Sequence, residues 1–204
     1  VDIVTSTLDI SIAYPPGWVQ LPVTTSTKIE HDPDLEIWTK EKAARLVAQD
    51  GMPDAIAQRA RELTQLTITC RARKDRYGFA FYPPDAGGLA AILDVQVLTP
   101  SRKHKQITFP LLEEIYASYT QQTVGDIESA RPDLPSGPAL RVRRKQIEEP
   151  DEQGQGPLTE SVTYAIHPPG FTDGVVMIMT WTSIGAGDEL AAMADAIART
   201  IRVR

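Results

Sequence analysis

The chain has 204 residues, 42% of them hydrophobic and 24% charged, with a formal net charge of −6. That length and balance suit a globular protein able to bury a core without metal or disulfide staples. The acidic excess argues against nucleic-acid binding, where phosphate neutralisation supplies most of the affinity.

The first element read along the chain is a strand, because Leu8, Ile10, Ile12 and Tyr14 alternate with polar or small residues. Pro15 and Pro16 cannot donate to a ladder and end it, Gly17 allows a reversal, and Trp18 to Leu21 resumes the extended pattern. The simplest expectation is a hairpin turned by Pro-Pro-Gly. Tyr82-Pro83-Pro84-Asp85 and His167-Pro168-Pro169-Gly170 repeat that logic between later strand-like runs.

Asp32 and Pro33 open a helix carrying Leu35, Trp38 and Leu46, which Gly51 closes; Pro53 opens a second, with Ile56, Ala60, Leu63, Thr67 and Cys70 at helical spacing. Phe79–Tyr82 and Leu89–Leu98 read as a strand pair, Leu93, Val95 and Val97 facing opposite to Asp94 and Gln96. Thr108 and Pro110 begin a short helix with Leu112, Ile115 and Tyr119. Extended segments follow at Val124–Ala130, Ala139–Ile147, Thr159–His167 and Gly174–Ser183. An amphipathic helix striped by Leu190, Met193, Ile197 and Ile201 closes the chain, with Asp188 and Glu189 at its start, where the dipole favours them. Hairpins interrupted by helices predict one α+β domain over residues 1–204: a single, mostly antiparallel β-sheet flanked by α-helices.

No catalytic, cofactor or metal constellation emerges. Glu30-His31-Asp32-Pro33-Asp34 gathers metal-capable groups, but Asp32 reads as a helix cap and no histidine pair has ligand spacing. Gly185 and Gly187 match two glycines of a dinucleotide fingerprint, yet Leu190 holds the third position and Asp188 and Glu189 would repel a pyrophosphate; the stretch reads as a strand-to-helix turn. Cys70, followed by Arg71, Arg73 and Lys74, lies on an apolar stripe and reads as a small core residue. As the only cysteine it excludes an internal disulfide, which suits a reducing, cytoplasmic setting. The opening residue is Val1, which leaves room for a removed leader, and the longest apolar run, Val175 to Met179, is far short of a membrane span.

The strongest charge pattern lies at Arg141, Arg143 and Lys145, which share one strand face while Leu140 and Val142 take the other. Ser161 and Thr163 on the facing strand would extend a cationic patch. The acidic connector holding Glu148, Glu149, Asp151 and Glu152 follows at once and reads as an exposed hairpin loop. These seven charged residues are the candidate partner-binding surface.

The opening strand-Pro-Pro-Gly-Trp-strand and the closing apolar strand with "DAIARTIRV" resemble the Mog1/PsbP-like fold. "LPSGPALRV" and "ESVTYAIHPPG" are similar to uncharacterised actinobacterial proteins of that architecture, the likeness lying over residues 8–22 and 134–204. The resemblance implies an antiparallel sheet flanked by helices and a non-enzymatic accessory protein that binds a protein partner, with no catalytic residue to carry over. The alternative is a small-ligand-binding protein or an enzyme, with a pocket between sheet and helices lined by Trp38, Tyr116 or Trp181. Homo-oligomerisation through a sheet edge is a third possibility.

Overall fold

Alternation and helical spacing take shape in a computed structural model that describes residues 8–22, 33–50, 55–71, 76–83, 88–101, 104–148 and 155–204. In chain order the elements are β1 (Ile10–Ser11), β2 (Trp18–Gln20), α1 (Pro33–Asp50), α2 (Ile56–Arg71), β3 (Arg76–Phe81), β4 (Ala91–Leu98) and α3 (Phe109–Tyr116). They continue with β5 (Thr123–Ala130), β6 (Asp133–Leu134), β7 (Gly137–Ile147), β8 (Leu158–Ile166), β9 (Gly174–Trp181), α4 (Gly187–Ala198) and β10 (Arg202–Val203). This is the expected α+β class, with four α-helices among the described residues and a mostly antiparallel sheet. The chain divides into two compact units, residues 15–93 and residues 1–14 with 94–204, the division falling within β4.

In the unit of residues 15–93, β2 pairs antiparallel with β3, Trp18 opposite Phe81, and the two rings stack at 4.9 Å. Leu21, Ala43, Leu46, Leu63, Ala80 and Tyr82 form its buried cluster, with Trp38 and Ile56 packed against it, so the stripes read from the sequence do face a core. At its polar margin the Tyr82 hydroxyl donates to Glu62 Oε2 at 2.9 Å. The Arg59 guanidinium lies 5.0 Å over the Tyr82 ring. Burial, and then the Glu62 charge, push the Tyr82 hydroxyl far above its usual range.

In the other unit the strand order is β4-β9-β8-β7-β5, with β6 paired to β7. Register sorts the side chains into two faces. Arg141, Tyr164 and Met177 are cross-strand neighbours on one, and Leu140, Ala165 and Val176 on the other. The first is the α4 face, where α4 meets β8 and β9 and buries Leu190, Ala194 and Ile197. The second is the α3 face, where Leu112 joins Leu140, Val142, Ala165 and Val176 in one buried cluster.

The proline pairs take different roles. The third joins β8 to β9 as expected: Phe171 N donates to Pro168 O at 3.3 Å. Gly170 takes φ +83, as the third residue of a type II turn requires. The second connects β3 and β4, which are neighbours in strand order; Pro84 and Asp85 lie outside the described residues. The first is not a hairpin. β1 pairs with β10, Ile10 opposite Val203, while β2 pairs with β3. Proline has no N–H and a fixed φ, so it ends a ladder without specifying a partner. The C-terminus supplies one, and Thr200 Oγ1 both accepts from Ala13 N and donates to Ala13 O.

Leu112 is 0% exposed in the α3 core and Ile115, one turn on, is 50% exposed. Leu112→Ala is therefore expected to lower unfolding free energy by about 2–5 kcal/mol in urea titrations, and Ile115→Ala by less than about 0.5 kcal/mol.

Candidate functional site

Strand β7 carries four basic residues, and alternation splits them. Arg141, Arg143 and Lys145 point to the α4 face, while Arg144 points to the α3 face beside Ser161. The two faces treat their cations differently.

On the α4 face the arginines are matched. Arg141 Nε donates to Asp195 Oδ1 at 2.8 Å, and the Tyr164 hydroxyl donates to the same oxygen at 2.8 Å. Arg143 Nε donates to Glu160 Oε1 at 2.7 Å, and Arg143 Nη2 reaches Asp188 Oδ1 at 2.8 Å. Glu160 is 1% exposed, and its second oxygen accepts from Trp181 Nε1 at 3.3 Å. Gly187, the first residue of α4, lies against that carboxylate, and a Cβ there would run into Glu160 Oε2 and Arg143 Nη2. A carboxylate of the chain itself therefore lies against the start of α4.

Burial is the largest effect on both arginines and by itself lowers their pKa. For Arg141 the hydrogen bond and charge of Asp195 outweigh it, and for Arg143 those of Asp188 and Glu160 do, so both guanidiniums are held above their ordinary value. The Tyr164 hydroxyl is pushed up to about 12, first by burial and then by its bond to Asp195.

Of the residues singled out from the sequence, Arg141 and Arg143 thus hold α4 to the sheet. Lys145, half-buried opposite Val124, makes no ion pair among the described residues. Glu148 accepts from Gln146 Nε2 at 2.6 Å and from Thr159 Oγ1 at 3.2 Å. Glu149, Asp151 and Glu152 lie outside the described residues, as do His31, Asp32, Gly51, Pro53 and the side chain of Cys70. Ser161 and Thr163 do not extend the Arg141–Lys145 patch: register sets them opposite Arg144 and Val142, on the α3 face. Of the aromatics considered as pocket linings, Tyr116 packs into the α3 cluster and Trp181 bonds Glu160 on the α4 face. No three His, Cys, Asp or Glu side chains among the described residues group as metal ligands.

The residue that the charge pattern missed is Arg144. Its neighbours across the sheet are Ser161 and then Thr180. Its Nε is buried without a hydrogen-bond partner among the described residues. The only signal in the sequence was its position out of phase with the other basic residues of the strand.

No family model matches the sequence, and no curated protein matches it. Among solved structures the chain is similar to LpqN of Mycobacterium tuberculosis, whose crystal structure is described as that of a protein involved in cell envelope biogenesis. The identity is 12%, the match covers 97% of this chain and 84% of that one, and the TM-score is 0.46. No helix among the described residues is long and apolar enough to cross a membrane.

The α4 clamp makes two measurable claims. Glu160→Ala leaves a part-buried guanidinium without its buried partner and should lower unfolding free energy by about 3–5 kcal/mol in urea titrations. Asp188 has a side chain 95% exposed, and Asp188→Ala should cost no more than about 1 kcal/mol. The raised Tyr164 hydroxyl means that its stabilisation is complete below its unfolded pKa near 10.0 and is lost as pH climbs to about 12. Across that window the wild type should lose roughly 2–3 kcal/mol more than Tyr164→Phe, followed as unfolding free energy against pH; Tyr82 contributes equally to both.

Proposed function

We propose that the chain is a non-enzymatic accessory module that binds a protein partner. The supporting observation is the distribution of exposed apolar side chains. Ile115 is 50%, Tyr119 65% and Val124 37% exposed, and three of the six large hydrophobics exposed among the described residues thus fall within ten positions. They lie from the end of α3 to the start of β5, where the Tyr119 hydroxyl accepts from Ile127 N at 3.3 Å. Strand β5 pairs with β7 on one side and ends the strand order. By register Val124 and Glu128 lie on the α4 face, opposite Lys145 and Arg143, whereas Ile115 belongs to α3 on the other face, so these exposed side chains border the β5 edge from both sides, with exposed Glu114 and Asp126 close by in sequence. Exposed apolar side chains set among charged ones suit a transient protein contact. The occupant that fits is a partner segment reaching this edge, with apolar residues for Ile115, Tyr119 and Val124 and basic residues for Glu114, Asp126 and Glu128. This reading moves the binding surface away from Arg141 and Arg143, whose charges α4 already uses.

The Mog1/PsbP-like resemblance, the likeness to uncharacterised actinobacterial proteins and the cytoplasmic setting inferred from a single cysteine belong to this same proposal. Each agrees with a small adaptor, and the exposed patch gives that adaptor a surface.

A photo-crosslinking residue at position 115, used in native extract, is expected to give one discrete adduct. The adduct should vanish in Tyr119→Asp and weaken as salt rises, and a crosslinker at exposed Ala192 on α4 should not give it. An adduct indifferent to Tyr119→Asp, or none at all, would refute the reading. So would an adduct of twice the chain's mass from purified protein, which would make the patch a self-association surface.

A further inference from the structure

We propose that the polar end of the α3 face is a binding site for a small oxyanion, a carboxylate or phosphoryl group, held by Arg144, Ser161, Thr163 and Thr180. The site is independent of the protein-contact patch and rests on different observations.

Register builds it. Arg144, Ser161 and Thr180 are successive cross-strand neighbours on β7, β8 and β9, and the next row is Val142, Thr163 and Ile178. Directly opposed side chains on adjacent strands have Cβ atoms about 5 Å apart, so the four polar groups share one small area. One row further on, Leu140, Ala165 and Val176 belong to the α3 core. The sheet face therefore turns from apolar to polar within two rows.

The polar groups are buried yet unused. Ser161 is 6% and Thr163 3% exposed, and neither side chain makes a hydrogen bond among the described residues. Arg144 Nε is buried with no acceptor among the described residues. The other buried hydroxyl on this face behaves differently: Thr159 Oγ1 donates to Gln146 O and to Glu148. Arg144 Nε is fully buried and unpaired among the described residues, which is costly, and the two hydroxyls beside it can share one acceptor with it.

Charge selects what that acceptor is. Arg141 and Arg143 each have a carboxylate partner, whereas Arg144 makes no ion pair among the described residues. Two acids close in register are not paired with it. Glu148 is engaged by Gln146 and Thr159. Asp126 lies in the irregular part of β5, between Val124 opposite Lys145 and Glu128 opposite Arg143. That irregularity puts Gly125, Asp126 and Ile127 of β5 against Arg144 alone, with open space beside Gly125. A permanently charged fork plus three hydroxyl donors matches an oxyanion, which accepts from all of them and supplies the missing counter-charge. A neutral ligand or water would satisfy the hydroxyls and leave the guanidinium uncompensated.

The test is an amide-resolved NMR titration of the full chain with sodium phosphate and, separately, sodium acetate, each against sodium chloride at matched ionic strength. Saturable shifts confined to the amides around 144, 161, 163 and 180 are expected for at least one anion, and which anion wins separates phosphoryl from carboxylate ligands. Arg144→Gln should weaken binding at least about tenfold, and Arg144→Lys, which keeps the charge and loses the fork, by less. Thr163→Val, which removes only the hydroxyl donor, should weaken it severalfold and serves if Arg144→Gln does not fold. Shifts no larger than in chloride, shifts centred elsewhere, or equal binding by Arg144→Gln or Thr163→Val would overturn the proposal.

Discussion

The structure turns on a carboxylate kept out of water. Glu160 lies on the core side of β8 with 1% of its surface exposed, a placement that is costly unless its charge is matched at close range. Arg143 supplies that match from the neighbouring strand, and Trp181 supplies the second donor from the strand on the other side. Once both are in place, the first turn of α4 can approach only through a residue without a side chain, which Gly187 provides. The same helix is fixed two turns later by Asp195, held by Arg141 and Tyr164. Acids about two turns apart lie on one side of a helix, so two arginines on alternate positions of one strand set both its position and its rotation.

This clamp explains why the most basic segment of the chain is not simply a cationic surface. On the α4 face of β7 the charges of Arg141 and Arg143 serve internal packing, and Lys145 makes no ion pair among the described residues. On the reverse face the role of β7 changes along its length. Leu140 and Val142 belong to the core beneath α3, and Arg144 then brings a cation next to Ser161, whose hydroxyl makes no hydrogen bond among the described residues. The covering of each face thus decides what the same residue type does.

The exposed apolar side chains have a related origin. Helix α3 buries Leu112 and leaves Ile115 outward, and the chain beyond it runs directly into β5, where the sheet order ends. The irregular register between Val124 and Glu128 limits simple strand addition at that edge, since a bulge interrupts the ladder that an added strand would extend.

Local chemistry was enough to place most elements. The helical spacing through Leu35, Trp38 and Leu46, the alternation along β7, β8 and β9, and the turn at Pro168–Pro169–Gly170 are short-range patterns, and the structure follows them. The seven-residue strand expected around Ile10 was reduced to Ile10–Ser11 because its ladder depends on the far end of the chain, where Val203 is its partner. The roles of the arginines were hidden for the same reason. Arg141 finds its acid 54 positions away and Arg143 finds Glu160 17 away, distances at which periodicity carries no information. The sequence by itself determined the periods, the breaks and which side chains share a face, since these follow from backbone geometry over a few residues. Only the tertiary structure decided which strands pair, which charges meet and which hydroxyls go without a partner, because those depend on contacts between segments that local rules leave independent.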